Sequence, residues 1–270
     1  MPDRRTGTFK TIAVLFVLLL GGANGHFAET GFSNDVEKRN KYDSINDGPY
    51  IYWKAMGHAV VFYVCGGELL TAEFQVSDTI RFDGLCHDSA TSYKIPVKAP
   101  SVENEYFENV SKIFAVSDIH GEYDYLVDIL KKGGIIGDGN RWIFGDGHLL
   151  IAGDVFDRGE KVTECLWLIY RLEQEAVKSG GRVHYLLGNH ELMDLRGDLR
   201  YVPEKYNAGI VDRGRISYDR LFGERTEFGR WLRTKNAIVI INGILFVHGG
   251  ISPELIRHHK NITDINRTVR

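Results

Sequence analysis

The feature that most restricts the fold of this chain is a recurring arrangement. A short apolar run ends abruptly in a polar turn that carries glycine. Ile113 to Val116 leads into Ser117-Asp118-Ile119-His120-Gly121, and Leu149 to Ala152 into Gly153-Asp154-Val155-Phe156-Asp157-Arg158-Gly159. Val183 to Leu187 leads into Gly188-Asn189-His190-Glu191, and Ile244 to Val247 into His248-Gly249-Gly250. Apolar runs of this length, bounded by turn residues, read as buried strands. Between them, Tyr123, Leu126, Val127 and Leu130 share one helical face that stops at Gly133-Gly134. Val162, Leu166, Ile169 and Leu172 share another, closed by Gly180-Gly181. This alternation predicts the α/β class, with a mostly parallel sheet and right-handed crossovers. In such sheets ligands gather beyond the carboxyl ends of the strands, which is where all four polar turns fall. Asp, His and Asn without cysteine form a donor set for hard or borderline divalent metals.

The flanking regions differ in character. Tyr50 to Trp53, Ala59 to Cys65, Glu68 to Phe74 and Ile80 to Phe82 read as strands, with Gly66-Gly67 as a hairpin turn. Residues 47–105 are thus expected to form a small β-rich appendage that shapes substrate access or covers an edge of the sheet. Residues 106–270 would be the main domain, with a polar linker over 26–46. Tyr201 to Arg233 is highly charged with only a patchy helical period. Ala237 to Ile241 and Ile244 to Val247 flank Asn242-Gly243, a strong signal for a type I′ turn.

At the N-terminus Arg4, Arg5 and Lys10 precede an apolar run, Ile12 to Leu20, and then small residues up to Gly25. This is the pattern of a signal peptide over 1–25, cleaved before His26, and it predicts a periplasmic or secreted protein. A membrane span wants about 20 apolar residues, so the run is too short for stable insertion. The net charge of -3 provides no electrostatic footprint for nucleic acid. Three cysteines are too few for a disulfide scaffold or a zinc–thiolate site. Cys65 and Cys86 either pair or remain thiols, and Cys165 reads as a small buried apolar residue.

Taken singly, each Asp, Asn or Arg of the four turns is an ordinary turn former or solvated charge. As an ordered set they resemble the calcineurin-like metallophosphoesterases. The order D-x-H-G, G-D-x-x-D-R-G, G-N-H-E and H-G-G is that of the phosphoprotein phosphatase branch. Leu186 to Glu191 followed by Gly197-Asp198-Leu199-Arg200-Tyr201-Val202 is similar to the Shewanella-like phosphatases. The resemblance covers roughly residues 112–255. It implies a β-sandwich of mixed sheets flanked by helices, and two divalent metal ions (Mn, Fe or Zn).

By motif match, Asp118, His120 and Asp154 would hold the first ion, and Asp154, Asn189 and His248 the second. A hydroxide between the ions would attack phosphorus. His190 would be the general acid, oriented by Asp157, and Arg158, with Asn189 and His190, would bind the phosphate. Glu191 reads as a structural carboxylate, and Arg196 and Arg200 as weaker phosphate contacts. The implied function is hydrolysis of phosphate monoesters on a phosphorylated protein (serine/threonine or tyrosine) or on a small phosphoester. The alternatives are a nucleotide or dinucleoside polyphosphate hydrolase, or an inactive truncated pseudo-phosphatase. The family continues past H-G-G with further strands and a later histidine. Here only His258 and His259 follow Gly250, so the C-terminal strands are expected to be missing. His58, His87, His148 and His184 lie outside the motifs and read as structural.

Overall fold

A computed structural model describes residues 13–14, 45–54, 57–76, 78–83, 86, 92–258 and 261–270. The expected leader and linker lie outside the described residues except for 13–14 and 45–46, and so do His87 and His259. Ala13–Val14 forms a two-residue strand, β1. β2 (Asp47–Trp53), β3 (His58–Cys65) and β4 (Glu68–Gln75) form an antiparallel meander. β5 (Thr79–Asp83) and β6 (Ser92–Pro96) make a separate hairpin. β6 has no sequence expectation behind it, because Tyr93 and Ile95 are its only apolar side chains besides a terminal proline.

The disulfide option holds: Cys65 and Cys86 are bonded across a separation of 21 residues. Closing a loop of that length stabilises by roughly 3 kcal/mol in the chain-entropy picture. Reductant, or the double change Cys65→Ser and Cys86→Ser, should therefore lower the melting temperature measurably. A melting temperature indifferent to both would show that the bond contributes nothing.

The remaining strands are β7 (Tyr106–Phe107), β8 (Ile113–Val116), β9 (His148–Ile151), β10 (Arg182–Tyr185), β11 (Ile238–Ile241) and β12 (Ile244–Val247). Among the described residues the helices of six residues or more are α1 (Tyr123–Lys132), α2 (Val162–Lys178), α3 (Asn189–Leu195), α4 (Glu227–Leu232), α5 (Pro253–His258) and α6 (Ile262–Val269). One sheet is parallel, in the order β1-β8-β9-β10, and the other is mixed, in the order β12-β11-β7. Asn242 (φ 53°) and Gly243 (φ 77°) turn β11 into β12 with both residues left-handed, as a type I′ turn demands.

Both faces of the parallel sheet are covered, which is why its strands read as unbroken apolar runs. Val116, Leu149, Ile151, Val183 and Tyr185 share a core with Leu126 and Leu130 of α1 and Leu166, Ile169 and Leu172 of α2. Ala115, Leu150 and Leu186 pack on the other side with Val239, Ile241 and Phe107 of the mixed sheet. This is the expected sandwich of mixed sheets flanked by helices. The N-terminal β region sits on the helices rather than on a sheet edge. The Trp167 indole donates to Pro49 O at 3.0 Å, the Tyr50 hydroxyl meets Thr163 at 2.9 Å, and the Trp53 indole donates to Glu227 at 2.7 Å. Its buried side chains belong to the same core as those of α1 and α2.

Candidate active site

The turns after β8 and β9 run side by side, joined by backbone hydrogen bonds that continue past the strands. Asp118 N donates to Gly153 O (3.1 Å), His120 N to Asp154 O (2.9 Å), Gly121 N to Val155 O (2.9 Å) and Gly159 N to His120 O (2.9 Å). This path requires left-handed backbone at Asp118 (57°), His120 (47°), Asp154 (56°), Asp157 (69°) and Arg158 (67°). Such conformations are costly for non-glycine residues and persist where the surroundings over-determine them, above all at functional sites. Two glycines are needed for close approach. A Cβ on Gly159 would lie 2.3 Å from His120 O, and one on Gly188 would lie 2.2 Å from Asp154 Oδ1.

Glu191, fully buried, ties these turns to the start of α3. Its carboxylate accepts from the N–H groups of Asp154 (2.9 Å), Val155 (2.7 Å), Phe156 (3.3 Å) and Gly188 (2.7 Å), and from the Tyr185 hydroxyl (2.9 Å). Burial, with the charge of Asp154 adding to it, outweighs these donors and holds Glu191 above the usual carboxylate range.

Asp154 is the centre of the site. Its Oδ1 accepts the His190 N–H at 3.0 Å. Its Oδ2 lies 3.1 Å from His248 Nε2, 3.9 Å from His120 Nε2 and 4.0 Å from His190 Nε2. Burial disfavours its charge, but hydrogen bonds from His248 and His190 and the charges of both rings prevail and lower its pKa. His120 Nδ1 is hydrogen-bonded to Phe156 O at 2.8 Å and His248 Nδ1 to Ala152 O at 2.7 Å. A backbone carbonyl on Nδ1 orients the ring and leaves Nε2 as the ligand atom, as in metal-bound histidines. Asn189 Oδ1 lies 3.1 Å from His248 Nε2.

The donor atoms of Asp118, Asp154 and His248 lie within 4.8 Å of one another, as do those of His120, Asp154 and His190. The residues present therefore fit a two-metal site that shares Asp154. Their oxygen and nitrogen donors suit manganese, iron or zinc alike. The hydrogen bond to Asp154 pushes the His248 pKa up to about 9. A bound cation would take the place of that proton. Burial, the largest influence on His120, lowers its pKa and keeps it neutral and ready to ligate.

His190 is buried, and its Nδ1 lies 2.6 Å from Asp157 Oδ2. Arg158 Nη2 is 3.4 Å from His190 Nε2. That guanidinium disfavours a divalent ion at the same nitrogen. The exposed ring of Tyr201 stands 5.3 Å from the His190 ring, and its carbonyl accepts the Arg158 N–H at 3.0 Å. Every motif residue expected at the site thus converges on it. Arg200 is held by Asp198 at 2.8 and 2.7 Å and lies over the Tyr201 ring, 5.7 Å from its centroid, and Arg196 is exposed at the end of α3. His148 and His184 are hydrogen-bonded to each other (2.9 Å) between the sheets, and burial lowers them to about 4 and about 3. Sequence reasoning missed Asp194, fully buried one helical turn beyond His190. Its spacing from His190 was the only signal available.

Residues 111–270 match the family model described as calcineurin-like phosphoesterase. Shewanella-like protein phosphatase 2 of Arabidopsis thaliana is 36% identical over 216 residues, covering 63% of this chain and 55% of that protein. Shewanella-like protein phosphatase 1 of Plasmodium berghei (strain Anka) is 35% identical over 161 residues, covering 59% and 44%. The chain spans about half the length of these relatives. The crystal structure of the cold-active protein tyrosine phosphatase of a psychrophilic Shewanella superposes with a TM-score of 0.76 at 36% identity, covering 83% of this chain and 67% of that one.

Proposed function

The chain belongs to the calcineurin-like phosphoesterases and is related to the Shewanella-like phosphatases, and from that premise we propose that it hydrolyses phosphate monoesters, with phosphotyrosine in proteins as the favoured substrate. The observation that carries this reading is the single carboxylate of Asp154, grouped with Asp118 and His248 on one side and with His120 and His190 on the other; the division of these residues between two ions follows the motif rather than those groupings. Two divalent ions, one held by Asp118, His120 and Asp154 and one by Asp154, Asn189 and His248, would polarise the phosphate and supply the nucleophile at neutral pH. The chain's own groups serve the rest of the reaction. Arg158 offers a planar fork of donors to the phosphate oxygens, and Asn189 adds its amide. His190 donates its proton to the departing oxygen while Asp157 holds the ring through Nδ1.

Tyr201 supports an aromatic leaving group, because its exposed ring flanks the acid that serves that group. The Shewanella relative is a protein tyrosine phosphatase, which supports the same reading. Hydrolysis of a small aryl phosphate across a manganese titration tests the reaction. Absence of metal-dependent turnover would sink it for this chain, and equal turnover of a bis-aryl phosphate would favour the phosphodiester alternative. Aromatic stacking is worth about 0.5–1.5 kcal/mol, so Tyr201→Ala should cost up to about tenfold in kcat/KM on the aryl phosphate. It should cost much less on a phosphoserine peptide. Equal losses on both would remove Tyr201 from leaving-group selection.

Export belongs to the same proposal. The basic and apolar pattern of residues 1–25 supports a cleaved leader, and the Cys65–Cys86 bond supports an oxidising compartment, periplasmic or extracellular. Ala13–Val14 would leave with the leader, and β8 would then be the edge of its sheet. Among the described residues no helix is long and apolar enough to cross a membrane.

A further inference from the structure

Two acids beside His190 have more buried oxygens than donors to satisfy them. Asp157 and Asp194 are 1% and 0% exposed. Asp157 Oδ2 is engaged by His190 Nδ1 at 2.6 Å. Asp157 Oδ1 and both oxygens of Asp194 are buried with no donor among the described residues. The two side chains lie within hydrogen-bonding reach of each other. Two carboxylates so placed cannot both ionise in a dry site, and a buried acceptor without a donor is costly. One proton held between them removes the repulsion and joins Asp157 Oδ1 to one oxygen of Asp194, which leaves only a neutral carbonyl oxygen without a donor.

The surroundings decide which acid keeps that proton. Burial raises the Asp157 pKa, but the hydrogen bond and charge of His190, the charge of His120 and the hydrogen bond from Asp194 all favour its ionised form. The charges that act most on Asp194 are negative, those of Asp157, Glu191 and Asp198, and the buried Tyr218 hydroxyl is also near. We infer that Asp194 is a neutral carboxylic acid that donates a hydrogen bond to Asp157, keeping Asp157 ionised and fixed against His190. It is a positioning residue. Asp194 and His190 sit on one short helix, so a single turn of α3 sets both ends of the chain of hydrogen bonds. Burial first, and then the charge of Asp157, push the Asp194 pKa up to about 9.

The inference rests on the reading of His190 as the proton donor. Without the Asp194 proton, Asp157 Oδ1 is orphaned and the carboxylate becomes more basic. The proton of the pair then shifts from the imidazole towards Asp157, so less of it is available to the leaving group, while the pair as a whole holds it to higher pH.

Two variants test this. Asp194→Asn keeps a donor in place, whereas Asp194→Ala removes it. The asparagine variant should stay within about threefold of the parent kcat on an aryl phosphate, with its alkaline limb unmoved. The alanine variant should lose about tenfold or more, with the alkaline limb about one pH unit higher. Should the asparagine variant shift as the alanine variant does, Asp194 acts as a charge, and the inference is wrong. An unmoved limb in both variants would make Asp194 merely structural and would overturn it too.

A second readout needs no activity. An acid whose pKa is raised on folding destabilises the fold increasingly as pH rises from its unfolded value towards the folded one. The parent should therefore lose more thermal stability between about pH 4 and about pH 8 than the asparagine variant does. A constant melting-temperature gap across that range would mean that Asp194 is ionised, and would overturn the inference. A gap that opens in a chain with no turnover would uphold the shared proton while the phosphatase reading failed.

Discussion

Asp154→Ala should abolish metal-dependent hydrolysis, lowering kcat/KM by roughly 10³-fold or more. The size follows from three simultaneous losses. The carboxylate belongs to both donor sets, so neither ion keeps its full complement. Its Oδ1 also accepts the His190 N–H at 3.0 Å, so the start of α3 is released beside the proton donor. His248 then loses the partner 3.1 Å away that faces it towards the site. Turnover should be measured together with metal content of the dialysed protein. A variant that retained two ions and near-parent turnover would show that Asp154 is not the bridge.

The largest effect on stability should come from Glu191, although its side chain contacts neither donor set through a free oxygen. Glu191→Ala strands four backbone N–H groups and the Tyr185 hydroxyl in a place without water. Each buried group left unpaired costs about 1–3 kcal/mol, and whole domains are stable by only about 5–15 kcal/mol. The variant should fail to fold, or should melt far below the parent. Glu191→Gln is the sharper test. Its amide oxygen can serve some of the donors, but its NH₂ group must point at others, so a large fall in melting temperature is still expected. A glutamine variant that melts like the parent would show that the carboxylate is dispensable. This also explains why Glu191 belongs to the motif without touching substrate: it ties the turn after β9 to the turn after β10.

Much of the frame was legible because its signals are local. β8 and β12 have the bounds read from apolar runs, and β9 and β10 differ from their readings by two residues or fewer. α1 and α2 end at the paired glycines, and Asn242-Gly243 turns as its composition requires. Other features depended on long-range contacts. The β5–β6 hairpin lacks a strong apolar alternation of its own. The seat of the β region on α2 and α4 is made by hydrogen bonds of Tyr50, Trp53 and Trp167 to residues more than a hundred positions away. The left-handed backbone of Asp118, His120, Asp154, Asp157 and Arg158 contradicts their intrinsic preferences, and is imposed by the pairing of two turns.

The site divides in the same way. The order of strands and turns, and the oxygen and nitrogen donors each turn carries, were determined by the sequence alone, because periodicity and turn chemistry act over a few residues. The roles of Asp157 and His190 came from motif resemblance, since spacing shows only that they are chemically possible. The tertiary structure decided that Asp154 faces three histidines, that Glu191 holds the turns together, and that Asp194 lies against Asp157. These are matters of burial and of neighbours far along the chain. Whether a carboxyl carries a proton depends on the medium and charges around it, and those exist only once the chain has folded.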